Sequence, residues 1–385
     1  MKKLFGVSIL STMLILGQPF MVFADTTSSK IINFGDIKSI IAEQNIDVQI
    51  NKNSSQKDKV DLLEINKNIR DLENELEDID DERDQAGSYA YLLGTQKAAL
   101  LDMLKEAERG AVDRPTLEAA IDLQNLMSDD SITRTAESIF ISYNQLNSGI
   151  STISSNIKIM EKKLDAMKLQ ESLGIISPNS MNDFNTSLAN MYTQLESTKF
   201  QQNSLERQFK NLLNEQDDTS EIGSILATKD DFSVEDEEAD LKKAQENNYA
   251  IKLLELQVIT KQAALDRAKK DHGAWSTEYK KANYDLTNTN LKLAQLKDTL
   301  KTSYNTMLDD IAKTQSELRL AEQILEDKKV ALSEAQVRKG VGMISQLEMD
   351  EATTNYQLQV DAAITKQIDL FNAKCNYEWF LKGMA

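Results

Sequence analysis

The sequence predicts an elongated all-α protein made of long antiparallel coiled-coil hairpins in two tandem structural repeats, with little or no β-strand. Three observations predict it: turn formers are scarce, apolar residues recur with a period of seven, and one plan recurs in both halves. With 13 Gly and 3 Pro in 385 residues, few turns remain for a β-rich fold. The single cysteine, Cys375, excludes an internal disulfide, so stability must come from packing. A formal net charge of −18 disfavours nucleic acid and anionic membrane surfaces as partners.

Lys2 and Lys3 precede an apolar run from Leu4 to Leu16, and Val22-Phe23-Ala24 offers small residues for cleavage. This pattern predicts a signal peptide over 1–24 and an exported chain. Residues 25–57 hold the start of the first helix, and the first repeat is expected over 58–216. Within it Leu62, Ile65, Ile69, Leu72, Leu76 and Ile79 alternate steps of three and four, with Glu73, Glu75 and Glu77 in the gaps. The same rhythm runs from Ile139 through Leu146, Ile153 and Met160 to Met167, and again from Met181 through Phe184 and Leu188 to Leu195. A strict seven-residue period demands left-handed supercoiling with a partner helix, so these runs read as one hairpin bent at 174–178.

The second repeat, 232–385, follows a linker at 217–231. Tyr304, Met307, Ile311, Leu318 and Leu325 lead down to a tip near 340–346, and Tyr356, Val360, Ile364 and Ile368 lead away. Ser142-Tyr143-Asn144 matches Ser303-Tyr304-Asn305 at an offset of 161, and Gly174-Ile-Ile-Ser177 matches Gly342-Met-Ile-Ser345 at 168. The difference is one heptad, an insertion that lengthens a coiled coil without rotating its stripe. The helix starts also echo each other, AEQNIDVQI at 42–50 and QENNYAIKL at 245–253. At the tips, Gly174 and Gly342 stand where a left-handed residue closes a helix. Ser345 with Glu348 forms a capping box, and Ser177-Pro178 puts serine at the cap with proline first in the helix.

Two repeats, each with a tip of the form G-x-x-S followed by acids and a long helix, resemble the TolC family of outer-membrane efflux proteins. The likeness rests on VGMISQLEMDEATTNYQLQVDAAITKQIDLFNAKCNYEWFL at 341–381 and ENNYAIKLLELQVITKQAALDRAKK at 246–270, with weaker copies in the first half. What the resemblance implies is a homotrimer whose helices form a hollow α-barrel in the cell envelope, periplasm or outer membrane. That barrel would be docked by a periplasmic adaptor (membrane fusion protein) and an inner-membrane pump at tips containing Gly174, Ser177, Gly340, Gly342 and Ser345. In the family a ring of acids beyond the tip narrows the tunnel, and these positions map onto Glu348 and Glu351. In the first repeat they map onto Ser180 and Asp183, so that copy keeps one acid of the two. Crowded carboxylates would favour cations in such an aperture. The bland alternative makes Glu348 a capping carboxylate and Glu351 and Asp183 first-turn acids set against the helix dipole.

One departure from the family stands out. Members that cross an outer membrane contribute strands of about ten alternating residues to a shared β-barrel. Residues 86–127 are rich in Ala, Leu, Lys and Glu and read as helix, while 271–290 is too short and polar for two spanning strands. Either the chain lacks the barrel or its strand signal is too weak to read.

No hydrolase elbow, Walker loop, dinucleotide turn or paired-cysteine zinc site occurs, and His272 is the only histidine. An enzyme is not expected, and neither is a cofactor. Cys375 reads as a small core residue, and Tyr377, Trp379 and Phe380 as aromatic packing on a neighbouring helix or as a partner's anchor. Besides the conduit, a non-conducting coiled-coil scaffold of the envelope fits the heptads. A hollow assembly also needs a second, weaker seam, for which Leu62/Leu63 and Leu253/Leu254 are the sequence's candidates.

Overall fold

The computed structural model describes residues 30–85, 87–215, 220–225 and 232–384. The signal peptide expected over 1–24 lies outside these residues, as does most of the 217–231 linker. Eight α-helices carry the described chain: α1 (Ile37–Gln44), α2 (Ile46–Gln85), α3 (Ala90–Ser172), α4 (Pro178–Leu212), α5 (Glu237–Asn247), α6 (Tyr249–His272), α7 (Thr277–Gly340) and α8 (Gln346–Lys382). The second four repeat the order of the first four, short helix, broken continuation, long helix and return.

The seven-residue period decides which faces meet. Leu62, Ile65, Ile69, Leu72, Leu76 and Ile79 of α2 are shielded against α3, where Leu93, Leu100, Leu104, Ala107 and Ala111 keep the complementary spacing. Ile65 lies beside Gly110, where the two helices pack. Below this pair, α3 continues unbroken and pairs with α4; in the second repeat α7 pairs first with α6 and then with α8. At 83 residues α3 spans about 125 Å, and its start lies well before the 131–173 stretch that the heptads alone delimit.

Both repeats break their first helix at an asparagine. Asn45 and Asn248 are extended at ψ 127 and 122, and each accepts the amide three residues on, Val48 and Ile251, through its side chain at 2.9 Å. These are N-caps in helical surroundings, and each is buried. Neighbouring amides brace the break on the returning helix of the same repeat: Asn45 donates to the Leu212 carbonyl at 2.6 Å and Asn247 to that of Leu381 at 2.9 Å. The short helices α1 and α5 thereby fold onto the side of the hairpins. Ile37 and Ile41 are buried with Ala136, Phe140, Phe209 and Leu213, and Ala244 with Tyr304, Tyr377 and Phe380. Burying each of the larger side chains contributes ~1.5–3 kcal/mol.

Among the described residues the only strands are β1 (Ile31–Ile32) and β2 (Glu221–Ile222), paired in parallel with Ile31 opposite Glu221. They tie the start of the described chain to the inter-repeat segment, and Asn144 of α3 holds that segment at Gly223 and Ile225. At the end of the molecule away from the two tips, α2 turns into α3 through Gly87–Tyr89 and α6 into α7 through residues 273–276. Both connections are tight turns between helices. No helix among the described residues is long and apolar enough to cross a membrane.

Each long hairpin turns on a left-handed glycine. At the first tip the Ile175 amide reaches the Gln170 carbonyl at 2.9 Å and the Gly174 amide reaches Glu171 at 2.8 Å. At the second, Met343 reaches Arg338 at 2.8 Å and Gly342 reaches Lys339 at 3.0 Å. With φ of +71 and +77, Gly174 and Gly342 close two copies of one Schellman turn. Gly340 is the last residue of α7, with no positive φ. Gly342→Ala should therefore lower stability by about 1–2 kcal/mol, whereas Gly340→Ala should raise it by up to about 1 kcal/mol. Urea titration of both variants measures the contrast.

Candidate functional site

The expected tip and aperture residues fall into two settings, the turns themselves and a joint between hairpins just above them. At the second turn Ser345 Oγ accepts the Glu348 amide at 3.1 Å, and Glu348 returns a carboxylate oxygen to the Ser345 amide at 2.7 Å. That backbone hydrogen bond, then the serine side chain, holds the Glu348 carboxyl below the usual carboxylate range. Glu348 is thus a capping group. At the first turn Ser177 is the cap, its Oγ 3.4 Å from the Ser180 amide, and Asp183 sits exposed further along α4.

Glu351 faces the other hairpin. Its carboxylate pairs with Lys163 of α3 at 2.7 Å, and the adjacent Asp350 pairs with Lys162 at 2.7 Å. Charges 188 residues apart in sequence are brought together because α8 packs along α3. The Lys162 ammonium depresses the Asp350 carboxyl below its ordinary value. Neither lysine nor Asp350 stands out in the sequence, which is full of both residue types.

Further up, the same α3–α8 joint stays polar. Gln145 donates to Asp369 at 3.1 Å; Ser148 donates to the Asp361 carbonyl at 3.1 Å and lies 2.9 Å from the Thr365 hydroxyl; Ser151 donates to the Asp361 carboxylate at 3.0 Å. Asp361 is buried, with Gln357 on the same oxygen at 3.1 Å and its second oxygen unpartnered. An apolar cluster of Ile141, Ile368 and Cys375 also bridges the joint, with Phe34, Ile225 and Phe371 against it. The seams inside each hairpin are apolar; the seam between hairpins is largely made of hydroxyls, amides and charges.

The tips also carry a feature that heptad counting passes over. Leu169, Leu173 and Ile175 are 63%, 66% and 66% exposed, and Val337, Val341 and Met343 are 68%, 64% and 73% exposed. Each member of the second set lies 168 residues after its counterpart, so both tips present the same apolar triplet to solvent. At the opposite end of α8, Tyr377, Trp379 and Phe380 are buried, Trp379 donating to Glu137 at 2.6 Å and Tyr377 to Asp240. Their role is packing within the chain. His272 is the last residue of α6.

No family profile and no curated protein sequence matches the chain. Solved structures do. The outer-membrane channel OprN superposes with a TM-score of 0.60 at 12% identity, over 91% of this chain and 90% of that one. The Neisseria gonorrhoeae MtrE outer membrane channel, in its open state, gives 0.53 at 10% identity over 91% and 89%. The Campylobacter jejuni CmeC outer membrane channel gives 0.53 at 11% over 71% of this chain, which spans 66% of CmeC. The fold is therefore that of the TolC-like outer-membrane channels, an all-α arrangement of paired long hairpins.

Two outcomes follow from the joint and its surroundings. Asp350 has a depressed folded pKa, so its pairing stabilises the fold above the ordinary aspartate range and is lost as pH falls through the folded value. Because Lys162 is partly exposed, the stability lost in Lys162→Ala should be only about 0.5 kcal/mol at neutral pH, shrinking toward zero below pH ~4. Parallel urea titrations of the two proteins across that range check it. Burial pushes the Cys375 thiol up to about 12, with Glu137 and Glu378 adding to the effect. Cys375 should consequently resist alkylation at neutral pH until denaturant exposes it, as a timed iodoacetamide reaction would record.

Proposed function

We propose that the chain is the protomer of a TolC-like trimeric conduit of the cell envelope, passing molecules received from a pump and its adaptor. The observation that carries this reading is the pair of quasi-equivalent tips, two turns of one hydrogen-bond pattern with exposed apolar triplets at matching positions, on hairpins lying side by side. A two-fold repeated docking surface on each of three protomers would offer six similar sites to an adaptor. The apolar tips suit helix-end contacts, and Ser177 and Ser345 keep the turns rigid.

The uncovered edges support association. One edge of the helical layer is made by α2 and α4, which leave Val60, Leu63, Tyr192 and Phe200 at least 44% exposed; the other is α7, which leaves Leu291, Leu320 and Val330 exposed. Packing edge to edge around a three-fold axis would cover both, and Leu63 is the part of the expected second seam that remains free. In that ring Glu348, Glu351 and Asp183 would line the aperture above the tips. The α3–α8 joint would be its movable part, because polar contacts exchange with water at little net cost whereas the apolar hairpin seams do not. Each ion pair there is worth less than about 1 kcal/mol, a bias that docking can overturn.

A second reading, a non-conducting envelope scaffold, draws support from the helical turns at Gly87–Tyr89 and 273–276, where a membrane-crossing relative would carry strands. Light scattering should give a trimer and negative-stain images a ring with a central hole. A stable monomer would remove the conduit, and a filled rod would favour the scaffold. In a reconstituted protein, Glu348→Gln with Glu351→Gln should reduce cation preference in single-channel current; unchanged selectivity would leave both acids as a helix cap and a joint contact.

A further inference from the structure

The hairpin of α2 and α3 is longer than that of α6 and α7. Asp271, next to the end of α6, pairs with Lys105 at 3.0 Å and with Arg109, so α6 stops level with Lys105. The fifteen residues of α3 from Ala90 to Leu104 run on beyond it, accompanied only by α2, for about 22 Å. On this overhang Leu92 and Met103 are each 60% exposed, with Gln96 and Ala99 exposed between them. Their spacing, four, three and four, is a second heptad register, distinct from the one that faces α2. Further down the helix the same register holds Glu106, Gly110 and Asp113, the last paired with Arg267 of α6, so the apolar stripe belongs to the overhang. A stripe with this period calls for another helix, and within the protomer the overhang has none to offer.

Its direction can be fixed from the packing lower down. Ala136 and Phe140 are the α3 residues buried under α1. In the heptad frame shared with α2, the Leu92–Met103 stripe lies about 150° round the helix from the line of those two residues. It is therefore on the side of the layer away from α1. Pro115 stands three heptads before Ala136, on the α1 side, in the interior of α3. A proline there lacks the donor for the carbonyl of Ala111 and crowds it, which favours bending away from the proline's side. Such a bend would carry the overhang toward the side its stripe faces.

We propose that the overhangs of three protomers lean together and close the end of the conduit remote from the tips, packing α3 against its own copies through Leu92, Ala99 and Met103 with Gln96 as a polar layer. This rests on the trimeric reading above. The occupant of the stripe is a second copy rather than a lipid surface: the coiled-coil spacing fits a helix, and the exposed acids of α2 between Glu73 and Asp84 repel anionic headgroups. The small Ala99 permits close approach, and a polar residue among apolar ones fixes register. The conduit then has a constriction at each end, ionic and polar at the tips and apolar at the overhangs.

A nitroxide attached at Ala99→Cys reports the distance directly, since the buried thiol of Cys375 does not compete. Packed helices, with axes about 8–10 Å apart, should place the labels within about 20 Å in pulsed dipolar spectroscopy. Overhangs continuing straight from a hollow ring of twelve helices below them would hold the labels about 30 Å apart. Pro115→Ala, and separately Leu92→Ser with Met103→Ser, should lengthen the distance while circular dichroism and light scattering still show a helical trimer. A trimer whose labels sit at the longer distance in the parent protein overturns the closure and leaves the conduit standing; a monomer removes both.

Discussion

A helix with 3.6 residues per turn can keep a seven-residue stripe buried only by winding around a partner, and every long element of this protein is bound by that constraint. It sets which helices pair, how long the hairpins run before a turn can be placed, and why the second repeat differs from the first near its tip by one whole heptad. An insertion of any other length would have rotated Met307, Ile311 and Leu318 away from α8. The short helices, the asparagine breaks and the two small strands are all arranged around rods already committed to this geometry.

Within that frame the chain separates two kinds of contact. Inside a hairpin, leucine and isoleucine seams make a unit that separates only at the cost of exposing its apolar surface. Between hairpins, Ser148, Ser151, Asp361, Thr365 and the two lysine–carboxylate pairs make a joint whose groups water can satisfy nearly as well. Rigid rods joined by an exchangeable seam can reorient without melting. The unpartnered oxygen of buried Asp361 belongs to the same economy, a polar group held at a contact that is not optimised for permanence.

What could be read from the residues divides along the same line. The heptads from Leu62 to Ile79 and the turn chemistry of Gly174, Gly342 and Ser345 were legible, because each depends on neighbours within a few positions. The helical character of 86–127 was legible too, from its alanine and leucine content, although α3 runs on without interruption through a proline that would ordinarily end a helix. Lys162 with Asp350 was not, since nothing local distinguishes that lysine from many others; only the docking of α8 on α3 selects it. Asn45 and Asn248 lay inside the recognised echo, yet an asparagine in an otherwise helical stretch gives no sign that it caps a new helix rather than riding an old one. The exposed stripe on α3 escaped for a different reason. In AYLLGTQKAALLDML apolar residues occupy several registers at once, and the register left over appears only when the one facing α2 is assigned. Leu62 and Leu63, the expected widened seam, split instead, one into the hairpin and one into solvent.

The unbroken length of α3 has a mechanical meaning. The same rod belongs to the α2 pair above and the α4 pair below, with α1 resting against it in between. A bar about 125 Å long that gives only at Pro115, turned by one degree about its middle, carries its two extremities about 1 Å in opposite directions. Were such bars ringed together, spreading at one mouth would be geometrically tied to narrowing at the other, a see-saw pivoting near the residues that α1 covers.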